Sequence, residues 1–134
     1  METILLNYLG QLRTHAKHLA SGVEIITDAP TDNHGKGEAF SPTDLLCSSL
    51  GSCMMTLMGI AAATHQIYFE AAQAKITKIM VSNPRKVGEI IIEMKMPDHN
   101  YSDKEKAILE RSALTCPVYL SLHEDVKKTV SFIY

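Results

Sequence analysis

Tryptophan is absent from the 134 residues, and tyrosine and phenylalanine raise the aromatic share to only 6%. So few flat side chains offer little on which nucleobases could stack. Excess positive charge is missing too: 13 Lys and Arg stand against 15 Asp and Glu, a net charge of −2. With nothing to hold a polyanionic backbone, no nucleic-acid partner is expected. Cysteine is scarce. Three is an odd number without framework spacing or any Cys-x-x-Cys pair, which argues against a disulfide-stapled or zinc-stapled domain. The opening METILLNYLGQLRTHAK lacks the basic start, apolar middle and small-residue cleavage site of a secretory signal. The expected location is a reducing cytoplasm, where thiols stay reduced unless they have redox or metal work.

Formal charge is also missing from Leu45 to His65, about the length a bilayer requires. Ser48, Ser49, Ser52, Thr56, Thr64, Gly51 and Gly59 interrupt that stretch, however, and no Lys or Arg cluster flanks it. It is read as a helix enclosed within a soluble fold, with no membrane partner. The composition, 46% hydrophobic and 21% charged, is ordinary for a globular chain, and the length suits one domain over residues 1–134.

What is present gives an α+β order, β-β-β-α-β-β-α-β. Residues 3–9 and 11–18 read as strands about Gly10, with Leu12, Thr14, Ala16 and His18 on one face. Ser21-Gly22 marks a turn into a strand from Val23 to Thr27, which Ala29-Pro30 stops. A polar loop from Thr31 to Phe40 follows, and Ser41-Pro42-Thr43-Asp44 is a strong helix start. Leu46, Leu50, Cys53, Leu57 and Ile60 step along one face of that helix, with Cys47, Met54, Met58 and Ala61 on the adjacent one. Residues 74–82 and 88–96 form a hairpin across Asn83-Pro84. Ser102 and Glu105 make a second capping box, for a helix ending at Cys116-Pro117. Val126, Lys128, Val130, Phe132 and Tyr134 then alternate as a last strand.

The histidines are scattered. His15 and His18, three apart on a strand, point to opposite faces, so no metal site is expected. The stretch His34-Gly35-Lys36-Gly37 lacks the spacing of a phosphate loop and reads as a flexible connection. The thiols say more. Cys53 lies mid-helix behind the small residues Gly51 and Ser52, where another backbone can approach. Cys116 precedes Pro117, where a new helical turn would present amides to the sulfur and lower its pKa. Either thiol could equally be a small apolar filler.

The segment GEAFSPTDLLCSSLGSCMMTLMGIAAATHQI, the hairpin KITKIMVSNPRKVGEIIIEMKMP and the late TCPVYLSL, in that order, resemble the OsmC/Ohr family. These are the osmotically inducible and organic-hydroperoxide-resistance proteins. The resemblance implies an intertwined homodimer and a thiol-dependent peroxidase without cofactor. Cys53 matches the family's peroxidatic cysteine and Cys116 its resolving cysteine. The implied cycle takes Cys53 to a sulfenic acid by reaction with an organic hydroperoxide, then to a Cys53–Cys116 disulfide. A dithiol such as a lipoylated protein would reduce it.

The family usually holds its thiolate with an arginine, oriented by a glutamate ten residues before the first cysteine. Here that position is Thr43, so the arginine role passes to Arg13, the only arginine before the helix, with its usual carboxylate partner missing. Asp44 is assigned to capping and Cys47 to packing. The alternative function is an OsmC-like protein that binds a small apolar or acyl ligand in the dimer pocket, its thiols incidental.

Overall fold

A computed structural model describes the whole chain, Met1–Tyr134, which divides into two compact units, Met1–Leu46 and Cys47–Tyr134. The first unit holds three antiparallel strands in order β1 (Ile4–Gly10), β2 (Arg13–His18) and β3 (Glu24–Asp28). Gln11 and Leu12 form the tight turn between β1 and β2, both with left-handed backbone (φ 53° and 62°). This corrects the expected strand start. Two consecutive positive φ values make the hairpin turn whose twist matches its strands, so Leu12 turns the chain and Arg13 begins β2. The second connection closes with the Gly22 amide donating to the His18 carbonyl at 2.8 Å.

The loop after β3 is tied down, contrary to the flexible connection expected. It opens with a single 3-10 turn, Thr31–Asn33. The Gly35 amide donates to the Pro30 carbonyl at 2.9 Å, and the Gly37 amide to the Ala29 carbonyl at 3.2 Å. Helix α1 (Pro42–His65) follows. Its start is the expected box: the Asp44 amide donates to Ser41 Oγ, and the Ser41 amide to Asp44 Oδ2, both at 3.0 Å.

In the second unit, β4 (Gln73–Val81), β5 (Lys86–Lys95) and β6 (Lys127–Ile133) form a sheet with β5 in the middle. β4 is antiparallel to β5 and β6 parallel to it, the crossover carrying α2 (Asp103–Leu114) and α3 (Pro117–Ser121). The hairpin turn is shorter than expected. β5 begins at Lys86, and the register slips between Ile79 and Met80, so Gly88 lies within the strand at a bulge. A Cβ there would come within 2.4 Å of Val81 Cγ1.

The central strand alternates by twos, burying Ile90, Ile92 and Met94 completely; Leu50, Met54 and Met58 of α1 and Leu109 and Ala113 of α2 complete the core. Each large aliphatic residue so enclosed contributes about 1.5–3 kcal/mol. By length and composition α1 could cross a membrane. Its Cys47, Leu50, Gly51, Met54, Met58 and Ala62 are instead the enclosed face of the fold. Of the two apolar faces the sequence offers, the one with Cys47, Met54 and Met58 is enclosed, whereas Leu46 and Ile60 are exposed and Cys53 and Leu57 only partly buried. Gly51 shows why: a Cβ would sit 2.6 Å from Ile76 Cδ1, so the side bearing the glycine is where β4 comes close.

Candidate functional site

The thiols come together within the second unit. Cys53 lies on the partly exposed side of α1, whereas Cys116 is fully buried at the N-cap of α3. Pro117 sets that cap: it occupies the first helical position, where a missing amide costs nothing and its fixed φ suits the turn. The Tyr119 amide donates to Cys116 Sγ at 3.4 Å. All three cysteines are unbridged, and Cys53 lies near enough to Cys116 to raise its pKa.

Burial pushes the Cys116 thiol up, against the downward pull of the Tyr119 and Val118 amides, and its neighbour Cys53 pushes it further up. This corrects the expectation that the N-terminal position would lower it. A five-residue turn supplies few amides, and desolvation outweighs them. Cys116 is therefore a protonated, shielded thiol beside a more accessible one. Cys47 is buried in the core among Leu50 and Met54, as a packing role requires.

Arg13 has a different setting, within the first unit. Its Nε donates to Asp28 Oδ1 at 2.7 Å and its Nη2 to Asp28 Oδ2 at 2.8 Å, a bidentate pair. Nη2 also reaches Glu38 Oε1 at 3.3 Å. Asp28 is nearly enclosed, 1% exposed, and accepts a third bond from the Glu38 amide at 3.1 Å. Arg13 holds the Asp28 carboxyl below its usual range, and Asp28 in turn raises the Arg13 guanidinium.

The arginine thus has carboxylate partners that the sequence motif does not reveal. The motif points to a glutamate at position 43; Thr43 instead lies beside the cap, its Oγ1 3.2 Å from Ser41 Oγ. Strand register carries the signal, since Arg13 and Asp28 are direct cross-strand partners. An acid ending the apolar run Glu24-Ile25-Ile26-Thr27-Asp28 could be paired with Arg13 by counting back from the Ser21-Gly22 turn. Among the histidines, His15 lies 3.6 Å from Glu24, and His18 Nδ1 lies 2.6 Å from Ser21 Oγ.

Comparison with known proteins follows the same lines. No curated protein sequence matches the chain significantly. A solved structure from Psychrobacter arcticus 273-4 is 48% identical, with a TM-score of 0.94 over 98% of this chain and 96% of that one. It is described as an inferred osmotic stress induced and detoxification response protein. An organic hydroperoxide resistance protein OsmC from Legionella pneumophila is 15% identical, with a TM-score of 0.77 over 100% and 98% of the two chains. One from Elizabethkingia anophelis, also 15% identical, has a TM-score of 0.69 over 99% and 96%. These two distant matches speak for the fold alone. The family model for OsmC-like proteins matches residues 35–131, spanning both thiols of the pair and the strands and helices that hold them, and the chain belongs to the OsmC-like family.

Proposed function

We propose that this chain is a thiol-dependent peroxidase that reduces organic hydroperoxides in defence against oxidative stress. The observation that carries the reading is the pairing of an accessible thiol, Cys53, with a buried one, Cys116, close enough to interact. In the first step the Cys53 thiolate attacks the outer peroxide oxygen and the O–O bond breaks. Cys53 becomes a sulfenic acid, and the alkoxide leaves as alcohol after taking a proton. Cys116 then attacks the sulfenic sulfur, forming the disulfide and releasing water. A dithiol, such as a protein-bound lipoyl group, reduces the bridge and returns both thiols. Arg13 is assigned to hold the anionic thiolate or peroxide by directed N–H bonds.

The names of the family's hydroperoxide resistance members support this chemistry, and family membership supports peroxide defence as its setting. Assembly belongs to the same proposal. Leu5, Leu6, Leu9, Leu12, Ile25 and Ile26 of the first unit are exposed, as are Leu46 and Ile60 on the Cys53 side of α1. So much open apolar surface supports a homodimer that covers it.

The deciding experiment follows peroxide consumption and thiol state together. With cumene hydroperoxide the reduced protein should lose two thiols and gain one internal disulfide, which dithiothreitol reverses. Oxidant consumption without disulfide would refute the two-thiol cycle. A co-purifying apolar ligand with no consumption would favour a binding protein instead.

A further inference from the structure

The two sulfurs of the proposed pair differ in how they can be reached. Cys116 is wholly enclosed, in the same buried cluster as Leu109 and Ala113 of α2. Cys53 packs against that cluster and is only partly buried. Thiol–disulfide exchange runs in line: the entering, attacked and leaving sulfurs stand nearly on one axis, so the nucleophile arrives opposite the bond that breaks. To strike Cys116 of a Cys53–Cys116 disulfide, an outside thiol would have to come from the side away from Cys53, and Cys116 has no open side. Of the two, Cys53 alone keeps one.

We propose that the bridge is reduced from one side only: the outside thiolate attacks the Cys53 sulfur, and Cys116 is the sulfur expelled. The inference rests on the function proposed above and names the atom at which its reductant enters. A new S–S bond joins the reductant to Cys53, the Cys53–Cys116 bond breaks, and its electron pair leaves on Cys116, which then takes a proton. The second thiolate of the dithiol attacks the reductant's own sulfur, closing a ring disulfide and releasing Cys53; the dithiol is oxidised by two electrons and the protein reduced by two. Cys116 is prepared for departure. The Tyr119 amide donates to its sulfur at 3.4 Å, and Pro117 at the first helical position sets the turn that carries this amide. Freed Cys116 stays beside the mixed disulfide and can attack Cys53 again, expelling the reductant. A tethered second thiol outruns that return, whereas a monothiol must wait for another molecule.

The test forms the bridge on the full-length protein with cumene hydroperoxide and, in a parallel sample, with diamide, so that it stands apart from peroxidase activity. Brief exposure to glutathione is followed by acid quench, unfolding and alkylation with N-ethylmaleimide, and mass spectrometry of tryptic peptides locates both labels. Glutathione should be on Cys53 and maleimide on Cys116, favoured over the reverse by about tenfold or more. Because recapture keeps this adduct scarce, a second measurement uses exchange with a chromogenic aryl disulfide, which passes through the same three-sulfur arrangement. The variant Cys47→Ser with Cys116→Ser leaves Cys53 alone, and Cys47→Ser with Cys53→Ser leaves Cys116 alone. Each native rate is divided by the rate of the same variant in guanidinium, and the ratio should be higher for Cys53 by about tenfold or more.

Glutathione on Cys116, or equal ratios for the two thiols, would overturn the inference while a bridge made by cumene hydroperoxide left the peroxidase standing. A bridge made by diamide alone, with glutathione on Cys53, would refute the peroxidase and uphold the direction of reduction. No bridge from either oxidant would overturn both.

Discussion

Gly35 is the residue whose replacement most directly tests how the loop after β3 is held. Its φ is not in the left-handed region, so alanine is allowed by the backbone; the obstacle is space. An added Cβ would fall 1.8 Å from the Ala29 carbonyl oxygen and 2.2 Å from its carbon. Backbone cannot swing aside as a side-chain tip can. The two segments must therefore part by roughly 1.6 Å to reach the 3.4 Å of ordinary contact. A shift of that size breaks the Gly35-to-Pro30 and Gly37-to-Ala29 bonds, now 2.9 and 3.2 Å. At about 0.5–1.5 kcal/mol each, Gly35→Ala should cost roughly 1–3 kcal/mol, or about 3–10 °C in Tm for a chain of this size. Thermal unfolding at fixed protein concentration measures it, with urea titration as the check. A Tm within about 1 °C of the parent would refute the clash and the tied loop with it.

Division of labour among the thiols is the next expectation: Cys53→Ser should abolish peroxide consumption, and Cys116→Ser should react once and stop as a trappable sulfenic acid. Cys47→Ser should retain most turnover, each outcome read by oxidant assay and sulfenic-acid labelling. Stability should be level between about pH 5 and 9 and fall on either side, as followed by Tm from pH 3 to 11. Asp28 and Glu105 are lowered from ordinary values of 3.8 and 4.5, so their stabilisation is present above those values and is lost as acid protonates them. Cys116, Tyr101 and Tyr134 are raised from 9.0, 10.0 and 10.0, mainly by burial, so theirs is present below those values and lost as base ionises the unfolded chain first. A Tm still rising at pH 10 would contradict this. Finally, the exposed apolar neighbours of Cys53 on α1, Leu46 and Ile60 with the partly buried Leu57, should favour a bulky organic hydroperoxide over hydrogen peroxide in kcat/KM. Equal values in steady-state assays would remove the apolar approach.

Local chemistry makes much of the architecture legible in the amino-acid sequence. The two capping boxes, Ser41 with Asp44 and Ser102 with Glu105, form as expected, because a cap is decided by residues three apart. The choice of buried face on α1 is not legible from periodicity, which finds two overlapping apolar stripes and cannot say which one meets the sheet. Gly51 carries the deciding signal, although it becomes informative only once Ile76 is known to stand opposite. The turn at Gln11-Leu12 is hidden for another reason: neither residue is one that favours positive φ, and tertiary context overrides propensity there. For the Arg13 partner the motif points to Thr43, whereas strand register places it at Asp28. The direction of the Cys116 pKa escapes the sequence because sequence shows the amides of a helix start but not the burial that outweighs them.

That burial also orders the proposed cycle. A buried, protonated Cys116 is a poor nucleophile, so peroxide meets Cys53 first, the thiol that solvent can reach. Part of what keeps Cys116 protonated is the nearby Cys53, whose negative charge would repel a second thiolate. Oxidation of Cys53 to a neutral sulfenic acid removes the repulsion, while the Tyr119 and Val118 amides stay to favour a Cys116 thiolate. The second thiol thus becomes easier to ionise when there is a sulfenic acid for it to attack. Desolvation, which would make Cys116 unsuitable as the first nucleophile, suits it to be the second: the pair needs no separate base, only the change of charge that the first step makes.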